Sequence, residues 1–207
     1  MKNLLTIILL ISGLLLAGNA DAQFKWGIKG GVNFSSIKNF GQLIQTESLD
    51  SYTGWHAGFF LQIKIPILAI QADILYSQQG QQFTASPNSV SESFNLEQSY
   101  ILIPVVAKFS LIPVLNLQAG VQYGILTTAA INGVKSYDFG PPIGDVSVAD
   151  QFTSGDWSLV FGLGFDISKL MIDARYNLGV SDISDVNLAN LDPLKSGVFQ
   201  LSAGIKF

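Results

Sequence analysis

Apolar and polar residues alternate at every second position through most of this 207-residue chain. In residues 24–34, Trp26 and Val32 fall on one face, and Lys25 and Lys29 fall on the other. A period of two is typical of β-strands with two different faces. The pattern predicts eight strands, at residues 24–34, 55–64, 68–77, 100–109, 115–127, 157–167, 170–180 and 198–207. Within these strands the apolar face carries no Asp, Glu, Lys or Arg.

The links between the predicted strands alternate between short and long. Short links lie at residues 65–67, 110–114 and 168–169, and long polar links lie at residues 35–54, 78–99, 128–156 and 181–197. This alternation places all tight turns at one end of an up-and-down antiparallel sheet and all long loops at the other.

The direction of the apolar face distinguishes a soluble barrel from a membrane barrel. A soluble lipocalin-like barrel shows the same alternation but buries its apolar face. Eight strands enclose a lumen just wide enough for side chains, and the apolar face is too bulky for it. The glycine-rich polar face fits that lumen, which leaves the apolar side chains facing lipid. We therefore predict an all-β, eight-stranded antiparallel up-and-down transmembrane β-barrel, with outer-membrane lipid as its surroundings.

The aromatic residues of the apolar face fall at two heights. An outer belt at the long-loop ends contains Phe34, Trp55, Tyr76, Tyr123, Trp157, Tyr176 and Phe199. An inner belt at the short-turn ends contains Phe24, Trp26, Phe109, Phe165 and Phe207. The eight-residue rise from Trp26 to Phe34 spans roughly 20 Å, close to the lipid-facing band of an outer-membrane barrel. We interpret these rings as lipid-interface aromatics.

The N-terminus has the pattern of a cleavable signal peptide. Lys2 precedes an apolar run at residues 4–16, and residues 20–22 form a small-residue cleavage site. We expect a signal peptide at residues 1–22 and one barrel domain at residues 23–207; an uncleaved anchor helix is the alternative. The absence of cysteine excludes disulfides, thiolate metal ligands and a lipoprotein anchor.

Four segments carry a resemblance to a known family. They are GIKGGVNFSSI (27–37), YILIPVVAKF (100–109), IDARYNLGVSDI (172–183) and LSAGIKF (201–207). The chain resembles the PorT-type family of outer membrane β-barrel domains, and its last residue is similar to the C-terminal aromatic signal of outer-membrane proteins. The resemblance implies a location in the cell outer membrane and an accessory role in protein secretion.

Charged residues on the polar face are expected inside the lumen. They are Lys25, Lys29, Lys64, Asp73, Lys108, Asp166, Asp173, Arg175 and Lys206. Buried charges must be paired to be tolerated, and Arg175 and Lys206 lie on strands adjacent to Asp166 and Asp173. We predict a salt-bridged plug. The alternative is a narrow small-solute channel that prefers anions because of the surplus positive charge.

Little in the sequence points to catalysis. The chain has one histidine, His56, and no cysteine, so a conventional zinc site is nearly excluded. We predict no catalytic, cofactor-binding or metal-binding residues and interpret His56 as a hydrogen-bonded lumen residue. A barrel-embedded hydrolase or acyltransferase, in which a Ser and an Asp approach His56, is the second alternative function.

The predicted long loops and their edges are acidic. Their acids are Glu47, Asp50, Glu92, Glu97, Asp138, Asp145, Asp150, Asp156, Asp182, Asp185 and Asp192, against Lys38, Lys135 and Lys195. This balance argues against nucleic acid as a partner. We predict a non-enzymatic barrel with a structural or interaction role, whose partners are outer-membrane lipid and other envelope or secretion proteins.

Overall fold

A computed structural model describes residues 23–38, 48–65, 67–85, 92–132, 146–147, 155–181 and 195–207. The predicted signal peptide lies outside these residues. The strands are β1 (Gln23–Lys38), β2 (Ser48–Lys64), β3 (Leu68–Ala85), β4 (Glu92–Ile112), β5 (Leu115–Asn132), β6 (Val146–Ser147), β7 (Gly155–Ile167), β8 (Leu170–Gly179) and β9 (Lys195–Lys206). No helix in the described part of the chain is long and apolar enough to cross a membrane.

The strands close into a barrel in which every pairing is antiparallel. Each barrel strand pairs with its neighbours along the chain, except that β5 is followed around the barrel by β7. The first and last strands close the sheet, with Gly27 opposite Lys206 and Val32 opposite Leu201. The two-residue strand β6 is not part of the barrel wall and pairs only with Ala130 and Ile131 of β5. The predicted eight-stranded up-and-down barrel is confirmed.

The barrel is apolar outside and polar inside, the reverse of a soluble protein. On the outer face, Phe59 is 64% exposed and Ile74 is 61% exposed. In the lumen, Gln71 and Arg175 are fully buried. Large exposed apolar surfaces are stable where lipid covers them, and a closed ladder leaves no unpaired sheet edge in that lipid. The predicted direction of the apolar face is therefore confirmed.

Outward aromatic rings meet across neighbouring strands at both heights. Four pairs lie in contact with their rings tilted: Trp26 with Phe207 at 4.8 Å between ring centroids, Phe34 with Phe199 at 6.3 Å, Trp55 with Tyr76 at 5.4 Å, and Tyr123 with Trp157 at 4.9 Å. Phe109, Phe165 and Tyr176 are exposed on the same face. Three of the pairs lie in the outer belt and one in the inner belt; their contact with the lipid interface stays a prediction.

The long links contain more strand than predicted. On one side of the barrel the strands continue far above the outer belt: β3 runs on from Tyr76 to Ala85, and β4 begins at Glu92. On the other side β7 begins at Gly155 and β8 ends at Gly179. We call the raised part, residues 48–54, 78–85, 92–99 and 127–132, the tall wall. The predicted loops 35–54, 78–99, 128–156 and 181–197 were too long because polar residues occupy both faces of a strand above the membrane, so the alternation fades while the ladder continues.

Candidate functional site

The middle of the lumen holds a cluster of buried charged side chains. We call it the central charge cluster, and it contains Lys29 from β1, Asp73 from β3, Lys108 from β4, and Asp173 and Arg175 from β8. These residues face inward because each occupies the polar face of its strand. The barrel thus brings together charges that are far apart in the chain.

Arg175 links the two carboxylates of the cluster. Its Nη1 lies 2.8 Å from Oδ2 of Asp73, and its Nη2 lies 3.2 Å from Oδ2 of Asp173. Lys29 Nζ lies 2.6 Å from Oδ2 of Asp73, and Lys108 Nζ lies 3.2 Å from Oδ1 of Asp173. Asp73 therefore contacts two cations and Asp173 three, because Lys29 Nζ also lies 4.0 Å from Oδ2 of Asp173. A buried charge needs such pairing to be tolerated.

Two glutamine side chains extend this network. Gln118 Nε2 donates to Asp173 Oδ1 at 2.6 Å, and Gln118 Oε1 accepts from Arg175 Nε at 2.8 Å. Gln71 Nε2 donates to Asp73 Oδ1 at 2.7 Å. Hydrogen bonds to ionised groups are stronger than neutral ones, so these amides reinforce the salt bridges. Neither glutamine was among the predicted lumen residues, although both occupy inward positions on β3 and β5.

A separate pair lies nearer the short-turn end of the lumen. Lys206 Nζ lies 3.0 Å from Oδ1 of Asp166, and Asn116 Nδ2 donates to the other carboxylate oxygen at 3.4 Å. Lys25 and Lys64 are partly exposed, and within the described ranges the structure gives neither of them a salt bridge. The structure therefore joins the charges that we placed in the lumen into two groups, with Lys25 and Lys64 outside both.

Gly164 on β7 makes room for the network. A β-carbon at this position would lie 2.6 Å from both Asn116 Oδ1 and Asp173 Oδ1, and closer still to Gln118 Nε2. Such separations are far inside van der Waals contact. A side chain at this position would therefore displace the polar side chains that cross the lumen at this height.

Long loops of outer-membrane barrels are extracellular, so we call the long-loop end of the lumen its extracellular end. His56 connects two other strands on the extracellular side of the cluster. Its Nδ1 lies 2.7 Å from Oδ1 of Asn33, and its Nε2 lies 2.7 Å from Oγ of Ser202. The Asn33 amide is oriented by its Nδ2, which donates to the carbonyl of Gln78 at 2.8 Å. An amide oxygen can only accept, so Nδ1 carries the proton. His56 is thus hydrogen-bonded inside the lumen. The hydrolase or acyltransferase alternative requires a Ser and an Asp beside His56; in the described residues Ser202 is present, and Asn33 occupies the place of the Asp.

The order Ser202, His56, Asn33 is that of a nucleophile, a base and an orienting group. The surroundings of Ser202 do not suit catalysis, however. Its side chain is buried, and its backbone lies in ladders with Gly31 and Asp173. N–H groups in a ladder lie in the plane of the sheet and bond the next strand, so they do not point into the lumen as oxyanion donors.

The extracellular half of the lumen is crossed by contacts between β1 and β3. The β2–β3 register shifts between Ser51 and His56, and side chains of β1 bond the β3 backbone near this irregularity. Ser35 Oγ accepts from the Gly80 N–H at 2.8 Å and donates to the Gly80 carbonyl at 3.0 Å. The Ile37 N–H donates to Gln81 Oε1 at 2.7 Å. These bonds draw two non-neighbouring strands together over the lumen.

Apolar side chains fill the lumen beside these contacts. Leu75, Tyr100 and Leu102 are buried against one another, and Leu126 packs on them. The lumen therefore contains charges at its centre and, on the β3–β5 side, an apolar cluster. This packing leaves the central charge cluster separated from the extracellular end by side chains.

Comparison with known proteins identifies the family. Residues 18–185 match the family described as outer membrane protein beta-barrel domain. The chain belongs to this family. Membership agrees with the outward apolar face and indicates that this outer membrane β-barrel resides in the outer membrane; the PorT-type subgroup stays a prediction.

The chain is similar to solved structures at low sequence identity, and Neisserial surface protein A (NspA) shows the same fold. NspA is 15% identical with a TM-score of 0.52, and the match covers 90% of this chain and 99% of NspA. Ail, the attachment invasion locus protein of Yersinia pestis, solved in complex with the heparin analogue sucrose octasulfate, is 17% identical with a TM-score of 0.48, over 89% of this chain and 99% of Ail. No curated protein matches the chain.

Proposed function

We propose that this outer membrane β-barrel is a non-enzymatic, non-conducting component of the envelope that acts through contacts with other proteins. The observation that carries the proposal is the bridge that Arg175 makes between Asp73 and Asp173 across the lumen. A lumen occupied by paired side chains supports a role at the barrel's surfaces, above and below the membrane.

A conduction path would have to break the central charge cluster. Removing one partner from a buried pair costs about 3–5 kcal/mol, so thermal fluctuations rarely open such a path. The cluster has three cations, Lys29, Lys108 and Arg175, against two carboxylates. This surplus favours the second candidate function, a narrow channel that prefers anions.

The tall wall supplies a surface for protein contacts. It stands above the outer belt on one side of the barrel and exposes small hydroxyl residues, among them Ser51, Thr53 and Thr128. The resemblance to the PorT-type family suggests that the partners are envelope proteins of a secretion apparatus. The long links predicted from the sequence are acidic, which favours a partner with basic surface regions.

Planar bilayer recordings test the closed lumen. The purified barrel is added at the protein load at which a general porin gives stable currents, and the porin serves as the positive control. We expect no stable conductance steps from this barrel. Reproducible steps with anion preference would replace the proposal with the channel function.

Site-specific crosslinking in intact cells tests the contacts. The chain has no cysteine, so a single introduced cysteine carries a photoreactive group without background. Thr128→Cys samples the tall wall, Lys169→Cys samples a short turn, and the lipid-facing Ile74→Cys is the matched control. We expect covalent adducts with envelope proteins from the wall or the turn and none from the control. Absence of adducts from both test positions contradicts the interaction role.

The hydrolase or acyltransferase alternative makes a different prediction. If His56 were a catalytic base, His56→Ala would change the lipid or peptide profile of the cell envelope. We expect unchanged profiles, because the described surroundings of Ser202 hold no exposed nucleophile. A reproducible change at normal barrel abundance would favour an enzyme.

A further inference from the structure

An apolar trough crosses the lipid-facing side of the barrel over the β1–β9 seam. Its floor is a row of directly paired small residues, Ala57, Gly30 and Ala203. The bulkier row Phe59, Ile28 and Ile205 lines its lower side, and the row Trp55, Val32 and Leu201 is two residues higher in the strand register. The missing side-chain volume in the middle row produces a groove of about 840 Å³ on an otherwise convex surface.

The trough descends through the membrane toward the short-turn end. Beyond Ala203 the row continues through Ile172 to Phe165. One end, Ala57, lies two residues from Trp55 of the outer belt, and the other end, Phe165, belongs to the inner belt. The descent follows from the tilt of the strands, because a row of paired residues runs across them. Four inter-strand steps give a length of about 19 Å, the scale of one extended acyl chain.

A cation lies at the lower end of the trough. Ile167 and Leu170 line the groove, and they flank the two-residue turn that contains Ser168 and Lys169. Lys169 is exposed. The turn is tight, with Ser168 at a φ of 54°, and the Lys206 N–H donates to the Lys169 carbonyl at 2.7 Å. Short turns of such barrels face the periplasm, so this ammonium lies at the headgroup level of the periplasmic leaflet.

We propose that the trough binds one acyl chain of an anionic phospholipid of the periplasmic leaflet, with the lipid phosphate against Lys169. The match in length, the apolar lining and the cation at the headgroup end all fit this occupant. A neutral phospholipid fills the trough equally well but brings no net charge to Lys169. A second copy of the barrel fits less well, because an isologous contact would place two troughs face to face and leave a void.

Native mass spectrometry of the barrel tests the acyl-chain site. The protein is transferred into detergent with equal amounts of dioleoylphosphatidylglycerol and dioleoylphosphatidylcholine. We expect one tightly retained phosphatidylglycerol. The double variant Ala57→Leu/Ala203→Leu fills the trough and should reduce that retained fraction at least fivefold. The matched control, Ala72→Leu/Ala107→Leu, enlarges small exposed residues on β3 and β4 and should retain lipid as the wild type does.

The headgroup contact is tested separately. Lys169→Gln should lower the preference for phosphatidylglycerol over phosphatidylcholine about fivefold, the effect of one cation near an anionic lipid surface. Lys64→Gln, next to a different short turn, should leave the preference unchanged. Gel mobility before and after boiling confirms that each variant is a folded barrel.

Three results would overturn the proposal. The first is equal retention of the two lipids by the wild type. The second is a retained phosphatidylglycerol fraction in the Ala57→Leu/Ala203→Leu variant that equals that of the wild type. The third is a dimer that the filled trough abolishes, which would make the occupant a second copy of this chain.

Discussion

Arg175 shows why residue type matters inside a barrel of this size. Its guanidinium presents several donors in one plane, so a single side chain contacts Asp73, Asp173 and the amide of Gln118. Lys29 has a single charged atom, which lies 2.6 Å from Asp73 Oδ2 but 4.0 Å from Asp173 Oδ2, so it contacts the two carboxylates less evenly than Arg175 does. The narrow lumen therefore selects an arginine at its centre and lysines around it.

Removing one carboxylate from the central charge cluster should strongly destabilise the barrel. Asp173→Asn leaves Lys108 and Arg175 with reduced compensation in a buried site, so we expect a loss of about 3–5 kcal/mol in the free energy of unfolding. Urea unfolding in phospholipid vesicles, followed by tryptophan fluorescence, measures it. Asp166→Asn is the comparison, because the Asp166 side chain is 16% exposed and contacts one cation only in the described residues, so we expect a smaller loss than for Asp173→Asn. Equal losses would argue against the cluster as a stabilising core.

A methyl group at Gly164 should also destabilise the barrel. Gly164→Ala forces the Gln118 and Asp173 side chains apart, so we expect a loss of about 1–3 kcal/mol in the same unfolding experiment. Gly30→Ala is the matched control, because a β-carbon there points outward and meets its first neighbour, the His56 carbonyl, at 3.2 Å. A neutral Gly164→Ala would show that the lumen network is loosely packed.

Individual strands could be predicted from the sequence within the membrane, because every second residue of a spanning strand faces lipid and must be uncharged. The outward faces of all eight barrel strands follow from that rule, because a charge facing lipid is costly. Above the membrane water accepts either face, so the sequence does not mark where β3 ends at Ala85 or where β2 begins at Ser48. Because apolar and polar residues do not alternate clearly above the membrane, the short strand β6 was not predicted either.

The β1–β3 contacts should protect the base of the tall wall. Ser35 satisfies both backbone groups of Gly80, so Ser35→Ala leaves a buried donor and acceptor unpaired. We expect amide hydrogen exchange at residues 78–82 to accelerate at least about tenfold. Ser36→Ala, one residue along on the exposed outer face, should leave exchange unchanged. Identical protection in the two variants would show that the wall does not depend on this bridge.

The tall wall also carries a titratable group outside the membrane. Burial, and secondarily the Glu97 carboxylate, raise the pKa of Tyr52 from 10.0 to about 12. A raised folded-state pKa contributes stability that is present below pH 10 and is lost between about pH 10 and 12. The contribution is small because Tyr52 is only partly buried, so solvent screens its charge. Tyrosinate absorbance of the wild type minus Tyr52→Phe measures the step, and Glu97→Gln should move it to lower pH. A step at the ordinary pH 10 would contradict this pairing.

At the scale of the whole molecule, the contents of the lumen depend on how the strands are staggered. The sequence indicates which residues face inward, but the stagger decides which of them meet. His56 illustrates this limit: its partners come from β1 and β9, and Ser202 is 146 positions away in the chain. Arg175 and Asp173 lie two residues apart on β8, so their pairing does not depend on the stagger. The bridge from Arg175 to Asp73 on β3 does depend on it.

Closure of the barrel between β1 and β9 can be tested with a disulfide. Val32 and Leu201 are direct partners across the seam, and opposed residues in an antiparallel ladder have Cα atoms about 4.5–5.5 Å apart, within disulfide range. Because the chain has no cysteine, Val32→Cys/Leu201→Cys should form one bond in the oxidising periplasm, seen as faster migration of the boiled, non-reduced protein. Val32→Cys/Ala107→Cys joins positions on β1 and β4, and both of its thiols should remain open to alkylation. If the seam pair also stays fully alkylated in the folded barrel, the first and last strands are not neighbours, and the lumen network built on their register fails with them.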